Sequence, residues 1–252
     1  MPALHFRLAF SIILLSLNFA ACAPQAITSS TPNLRIEGPS TTIFEGPITS
    51  SPRNLTATVS DGGGYTFLCD GDAAEGINPH PFNTALDALD QASKTSPTFK
   101  YTLGYDGDLE DFYITELAGY GFDTAPSGVE ASWGLLYNWQ LTTYGDGYTI
   151  SGCRQQVATG SDVLWAYGQD QYAGVFLRVE PATVTVKKGG SVTFTITNGL
   201  GGKPRPSATI HGVQADAMGR VVVPFPTAGY QTFKAKESGA VRSQLVKITV
   251  TS

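Results

Sequence analysis

Apolar and polar positions alternate with period two through most of the chain, and this alternation predicts strands. The segments "FKYTLGYD", "FYITEL", "SWGLLYNWQL" and "DVLWAYG" follow it, bounded by Gly, Asp and Ser, while "NLTATVSD" reads as an earlier strand followed by a turn at Gly62 to Gly64. The stretch from Asn83 to Ser93 has instead the period of a helix. There Ala85, Leu86, Leu89 and Ala92 form an apolar stripe, Asn83 or Thr84 caps the start, and Asp87 stands three residues after Thr84 as in a capping box. From Pro24 to Pro52 the chain is rich in Ser, Thr and Pro and begins like a flexible leader. Within it "LRIEG" and "TTIFEG" carry the spacing of short strands, so part of it is expected to pair with the domain that follows.

The run "WGLLYNWQL" concentrates aromatic surface. Read as one strand, it puts Trp133, Leu135, Tyr137, Trp139 and Leu141 on one side and Gly134, Leu136, Asn138 and Gln140 on the other. So bulky a face needs cover, and the helix carrying Leu86 and Leu89 is expected to supply it. Trp133 and Tyr137 are therefore assigned to the core, and Trp139, near the strand end, stays between core and binding groove.

A second domain is predicted to open near Val179. In "TVTVKKGGSVTFTITNG" Val192, Phe194 and Ile196 share one face and Thr193, Thr195 and Thr197 the other. Further strands at "SATIHG", "RVVVPF", "YQTFKAK" and "QLVKITV" complete a small β-sandwich.

Composition agrees with that picture: 252 residues, 42% hydrophobic, with 28 glycines and 15 prolines, suit two turn-rich β domains. A net charge of -5 with no basic stripe excludes nucleic acid as the expected partner. The first residues, "MPALHFRLAFSIILLSLNFAACAP", have the order of a secretory signal peptide, with an apolar run from Leu8 to Phe19 too short to span a bilayer. Cleavage after Ala23 gives plain secretion and is the preferred reading; cleavage after Ala21 would leave Cys22 first, as in a lipid-anchored surface protein. No transmembrane segment is predicted. "NLT" at Asn54 is a glycosylation acceptor in a eukaryotic secretory route. The mature chain keeps Cys69 and Cys153, an even pair that predicts one disulfide, with a contribution of about 2–5 kcal/mol. His80 and His211 lack ligand-like spacing to the cysteines, so no metal is expected.

The helix "TALDALDQAS", the strands around "FYITELAGYG", then "SWGLLYNWQL", "VATGSDVLWAYG" and "VFLRV" resemble, in that order, the transcobalamin C-terminal-like domain, a small β-grasp-type module. The likeness covers about Asn54 to Val179. Its most specific features are Trp133 with Asn138, and the ending formed by Gly160, Ser161, Asp162, Trp165 and Tyr167. After Val179 the chain resembles immunoglobulin-like repeats: a Pro-bearing turn, an Asp-x-x-Gly turn at Asp216 and Gly219, and a last hairpin with an Arg-Ser pair. The resemblance implies a mainly β fold, a β-grasp-like α+β module with one helix followed by an immunoglobulin-like β-sandwich. The expected divisions are a signal peptide over 1–23, a leader with short strands over 24–53, the grasp module over 54–179 and the sandwich over 180–252.

In cobalamin carriers such a module closes over one face of the ligand while a helical barrel holds the other. No barrel sequence is present here, so corrinoid binding is the alternative rather than the leading expectation. The leading one is a secreted, non-catalytic binding or surface-recognition protein without cofactor, whose partner is a glycan, a cell-surface partner or a small molecule. Trp139, Trp165 and Tyr167 are the candidate ligand-binding residues. A carbohydrate-active enzyme is the weaker alternative: elbow, zinc and phosphate-loop motifs are missing, and Asp106, Asp108, Glu110 and Asp111 read first as a solvated acidic turn. The same bland reading serves "CDGDAAEG" at Cys69 to Gly76.

Overall fold

The computed structural model describes residues 28–58, 64–71, 81–107, 111–121, 132–141, 152–168 and 174–252. The signal-like segment with Cys22, the turn residues Gly62 and Gly63, the stretch 72–76, His80, Asp108 and Glu110 lie outside them. The fold is mainly β with one helix among the described residues. In chain order the first half has β1 (Asn33–Glu37), β2 (Thr42–Pro47), β3 (Arg53–Thr58), β4 (Gly64–Cys69), α1 (Ala85–Thr95), β5 (Tyr101–Asp106), β6 (Asp111–Leu117), β7 (Tyr120–Gly121), β8 (Ser132–Tyr137), β9 (Gln140–Leu141) and β10 (Asp162–Gly168). The second half has β11 (Val175–Glu180), β12 (Thr183–Lys187), β13 (Ser191–Asn198), β14 (Thr209–Ile210), β15 (Val213–Gln214), β16 (Arg220–Pro224), β17 (Gly229–Phe233), β18 (Ala240–Val241) and β19 (Val246–Thr251).

A five-stranded sheet in the order β2-β1-β10-β8-β9 organises the first half, with β1 parallel to β10 and the other pairs antiparallel. The Ser/Thr/Pro-rich stretch therefore supplies its edge strand and the interior strand next to β10, and the sheet begins well before Asn54. Leu34 and Ile36 explain this, since both are fully buried and no loop could hold them there. The helix forms as its sequence dictates: Thr84 caps it, its hydroxyl accepting from the Asp87 N–H and Asp87 returning the bond to Thr84. Its Leu86 and Leu89 join Leu34, Ile36, Leu135 and Trp165 in one core. Leu86 and the Trp165 ring close on Gly152, where an added Cβ would lie 2.8 Å from the indole. Trp133 is buried too, but its neighbours are the Tyr167 ring at 5.3 Å and β7, whose Tyr120 carbonyl accepts its Nε1 hydrogen. The Cys69–Cys153 disulfide ties β4 to the segment after β9 across 84 residues.

The second half is a sandwich of β16-β13-β11-β18 over β12-β19-β17. Phe194, Ile196, Val221, Val223, Ile248 and Val250 fill it, with Val192 half-buried at the edge of that face. β11, read from sequence as the closing strand of the first module, belongs here instead: it pairs with β13 because Leu177 and Val179 point into this core. The turn chemistry at Asp216 is as expected. Its Oδ1 accepts from the N–H of Met218 and Arg220, and Gly219 follows at φ 73°, where a Cβ would meet the Ile196 carbonyl at 2.3 Å. No helix among the described residues is long and apolar enough to cross a membrane.

Candidate functional site

The alternation that turns Leu34 and Ile36 toward the helix turns Arg35 and Glu37 to the opposite face, next to Leu136, Leu164 and Ala166. The second domain covers that face. Phe176, Leu200 and Val241 pack on the apolar part, and the charged part is met by charge. Glu37, 1% exposed, accepts from Lys234 at 2.5 Å, from Arg242 at 2.6 and 3.0 Å and from Thr42 at 3.0 Å. Glu45 completes the group through Lys234 at 2.5 Å and the Leu245 N–H at 2.7 Å. Such pairs offset the desolvation of each ion only because every member finds partners. The Arg-Ser pair of the last hairpin thus has two structural duties: Arg242 clamps Glu37, and the Ser243 hydroxyl accepts from the Ala235 N–H.

Beside this clamp, "WGLLYNWQL" is not one strand. Tyr137 pairs with Gln140, and Asn138 and Trp139 between them have φ of 49° and 64°, the positive values that a two-residue type I′ hairpin needs. Asn138 suits that region and its Oδ1 accepts from the Asp162 N–H at 2.9 Å. Trp139 does not, and a bulky residue there stores backbone strain that its surroundings must hold. Its Nε1 donates to Asp162 Oδ2 at 3.1 Å, the guanidinium carbons of Arg35 and Arg178 stand 5.0 and 5.6 Å from its ring centre, and Gly199 presses on the ring so closely that a Cβ would lie 2.2 Å from Cε3. Trp139 is a half-buried wedge between the domains, no longer on the face of Trp133. The sequence signal that would have found it is the Asn-Trp pair in a hairpin position.

The other two candidates are placed differently. Trp165 and Tyr167 are 5% and 8% exposed, with Trp165 under α1 and the Tyr167 hydroxyl donating to the Gly121 carbonyl, so neither ring offers a face to a ligand. Of the acidic turn, Asp111 is buried and paired with Arg154 at 3.2 Å, which makes it part of the core's support rather than a solvated carboxylate. Asn54 is exposed on β3, open to modification. Among the described residues no cluster has the composition of a metal site.

Around Trp139 a cleft of about 240 Å³ opens between the domains, lined from the first by Arg35, Glu45, Leu136, Trp139 and Asp162 and from the second by Thr183, Gln244, Leu245 and Lys247. Its polar groups differ in what they have left to offer. Gln244 is engaged with both backbone groups of Val179, Glu45 with Lys234 and Leu245, and Asp162 with Trp139 and Asn33. Arg35, 5% exposed, makes one hydrogen bond among the described residues, from Nη1 to the Arg242 carbonyl at 3.0 Å. Burial lowers its pKa, opposed by Glu37, Glu45 and Asp162, and a guanidinium stays charged under any such shift in water. Lys247 is exposed and pairs with no carboxylate among the described residues. No protein-family model matches the chain, and no curated protein matches it in sequence.

Proposed function

We propose that this chain is a secreted, non-catalytic binding protein, a β-grasp-type module of the transcobalamin C-terminal-like kind followed by an immunoglobulin-like sandwich, and that its ligand enters the cleft at their junction. The sheet order, with the first strand parallel to the last and hairpins outside, supports the grasp reading. A disulfide between β4 and the segment after β9 supports an oxidising compartment, and the exposed Asn54 is then a glycan carrier. The observation that carries the binding role is Trp139. A bulky aromatic held in a strained turn, at the mouth of a cleft lined by convergent polar groups, is where structure is arranged for something other than stability.

The cleft limits the ligand. Sites that bury a drug-sized molecule run to about 300–1,000 Å³, so a space of about 240 Å³ takes the end of a glycan or a small metabolite and leaves most of a corrinoid outside. Purified mature protein titrated with a panel of mono- and disaccharides, small metabolites and a corrinoid, followed by tryptophan fluorescence and calorimetry, tests the reading. A small panel member is expected to bind, and Trp139→Ala is expected to abolish that binding. Corrinoid binding tighter than every small ligand, or a hit that Trp139→Ala leaves unchanged, would refute it.

A further inference from the structure

The chemistry left unsatisfied in the cleft identifies the kind of ligand. Both carboxylates lining it already accept hydrogen bonds from within the protein, while its two cations do not have their donors filled. Arg35 is the sharper case. A guanidinium carries five N–H donors in a planar fork; one of Arg35's nitrogens is engaged, and although the side chain is nineteen-twentieths buried, its other N–H groups are not sealed in the interior but line the cleft. Donors fixed in the wall of a cleft can exchange water for an acceptor on a ligand. A carboxylate fits a guanidinium fork with two parallel hydrogen bonds.

Resting on the site proposed above, we infer that the cleft takes a ligand bearing a single carboxylate, held by Arg35 from below and Lys247 at the mouth. Charge decides between one negative charge and two. Glu37 and Glu45 offset Arg242 and Lys234, Glu180 offsets Arg178 at 2.5 Å, and Asp162 stands against Arg35, so Lys247 is the one surplus cation. A monoanion brings the cleft to neutrality. A phosphate dianion would add a second charge facing Glu45 and Asp162 in a partly desolvated space, where like charges repel most. Arg35, Arg178 and Gly199 already crowd the Trp139 ring, but its half-exposed part lines the same cleft, where the body of a sugar acid has more to touch than a bare organic acid.

Calorimetric titration of the full mature chain with glucuronate and galacturonate, set against glucose, galactose, acetate and inorganic phosphate, separates the sources. A uronate is expected to bind at least about tenfold tighter than its neutral sugar, the weight of one charge-assisted hydrogen bond, and Lys247→Gln, on the exposed rim, is expected to weaken it several-fold without moving the melting temperature. Arg35→Lys keeps the charge and loses the fork, so it should weaken uronate binding more than Lys247→Gln does. Neutral sugars binding as tightly as uronates, with Trp139 fluorescence responding, would overturn the anion inference and leave the binding site standing. Phosphate preferred over every carboxylate, or uronate binding indifferent to Lys247→Gln, would also overturn it. A panel in which nothing binds would overturn the site itself.

Discussion

On the helix side of the five-stranded sheet the buried side chains include Leu34, Ile36, Trp133, Leu135, Val163, Trp165 and Tyr167, whereas on the other side they include Arg35 and Glu37 beside Leu136, Leu164 and Ala166. Both faces are largely covered, yet one is closed by the module's own helix and hairpins and the other by a separate domain that leaves a cleft beside it. The first closure is non-directional and follows from burying apolar area. The second needs Lys234 and Arg242 to arrive opposite Glu37 within hydrogen-bond distance, so it sets the orientation of the two domains as well as their contact. Ion pairing of this kind specifies geometry at little net gain in energy, which is what a cleft shaped by two domains requires.

Loss of bulk from the helix side should have the largest effect. Trp133→Ala removes a buried indole and its hydrogen bond to Tyr120, and should cost about 3–5 kcal/mol in denaturant melts. A variant melting like wild type would mean that this face is not the one closed by packing. Breaking the charged face should cost somewhat less: Glu37→Gln leaves Arg242 without its carboxylate while Lys234 keeps Glu45, and about 2–4 kcal/mol is expected. Its distinguishing sign is looser domain contact, read as faster proteolysis between the domains. If Glu37→Gln melts like wild type with unchanged proteolysis, the clamp does not hold the domains and the comparison between the faces fails.

The two faces were unequally legible in the sequence. Period-two alternation gave the strands, the capping box gave the helix, and cysteine parity gave the bridge, because each is a local or arithmetic signal. Alternation also marked Arg35 and Glu37 as polar positions, but a polar face pointing to water and one pointing to another domain's lysine and arginine read alike. Nothing local links Glu37 to Lys234 and Arg242, 197 and 205 residues away. Trp139 was misplaced for a related reason: a run of apolar residues looks like one strand unless the Asn-Trp pair is weighed as a hairpin turn, and tryptophan is an unusual choice for positive φ. The interior place of β1 in the sheet was obscured by the Ser/Thr/Pro composition around it.

The last prediction concerns Asp87, a buried carboxyl on the helix side that makes no ion pair among the described residues. Asp87 Oδ2 accepts from the Thr84 N–H and hydroxyl at 2.9 and 2.8 Å, Oδ1 has no hydrogen-bond partner among the described residues, and the nearby Arg53 is committed to Asp90 at 3.1 Å. Glu37 on the other face has two cations in contact; Asp87 has none. Burial therefore outweighs the capping bonds and the opposing pull of Arg53, and its pKa is pushed up to about 8 from an ordinary 3.8. Because the folded value is raised, the native chain holds a proton that the unfolded chain has already released between those two values. Its contribution to stability is full below about pH 4 and is lost progressively as pH rises toward 8. Asp87→Asn keeps a neutral group that accepts from the Thr84 N–H, so at or below about pH 4, where wild type is also neutral, the two should differ by less than about 1 kcal/mol. Across pH 4 to 8 wild type should lose stability relative to the variant, as measured by paired denaturant melts at each pH. Parallel profiles would mean that Asp87 is ionised in the folded protein, and that the helix side tolerates an unpaired charge as the other face does not.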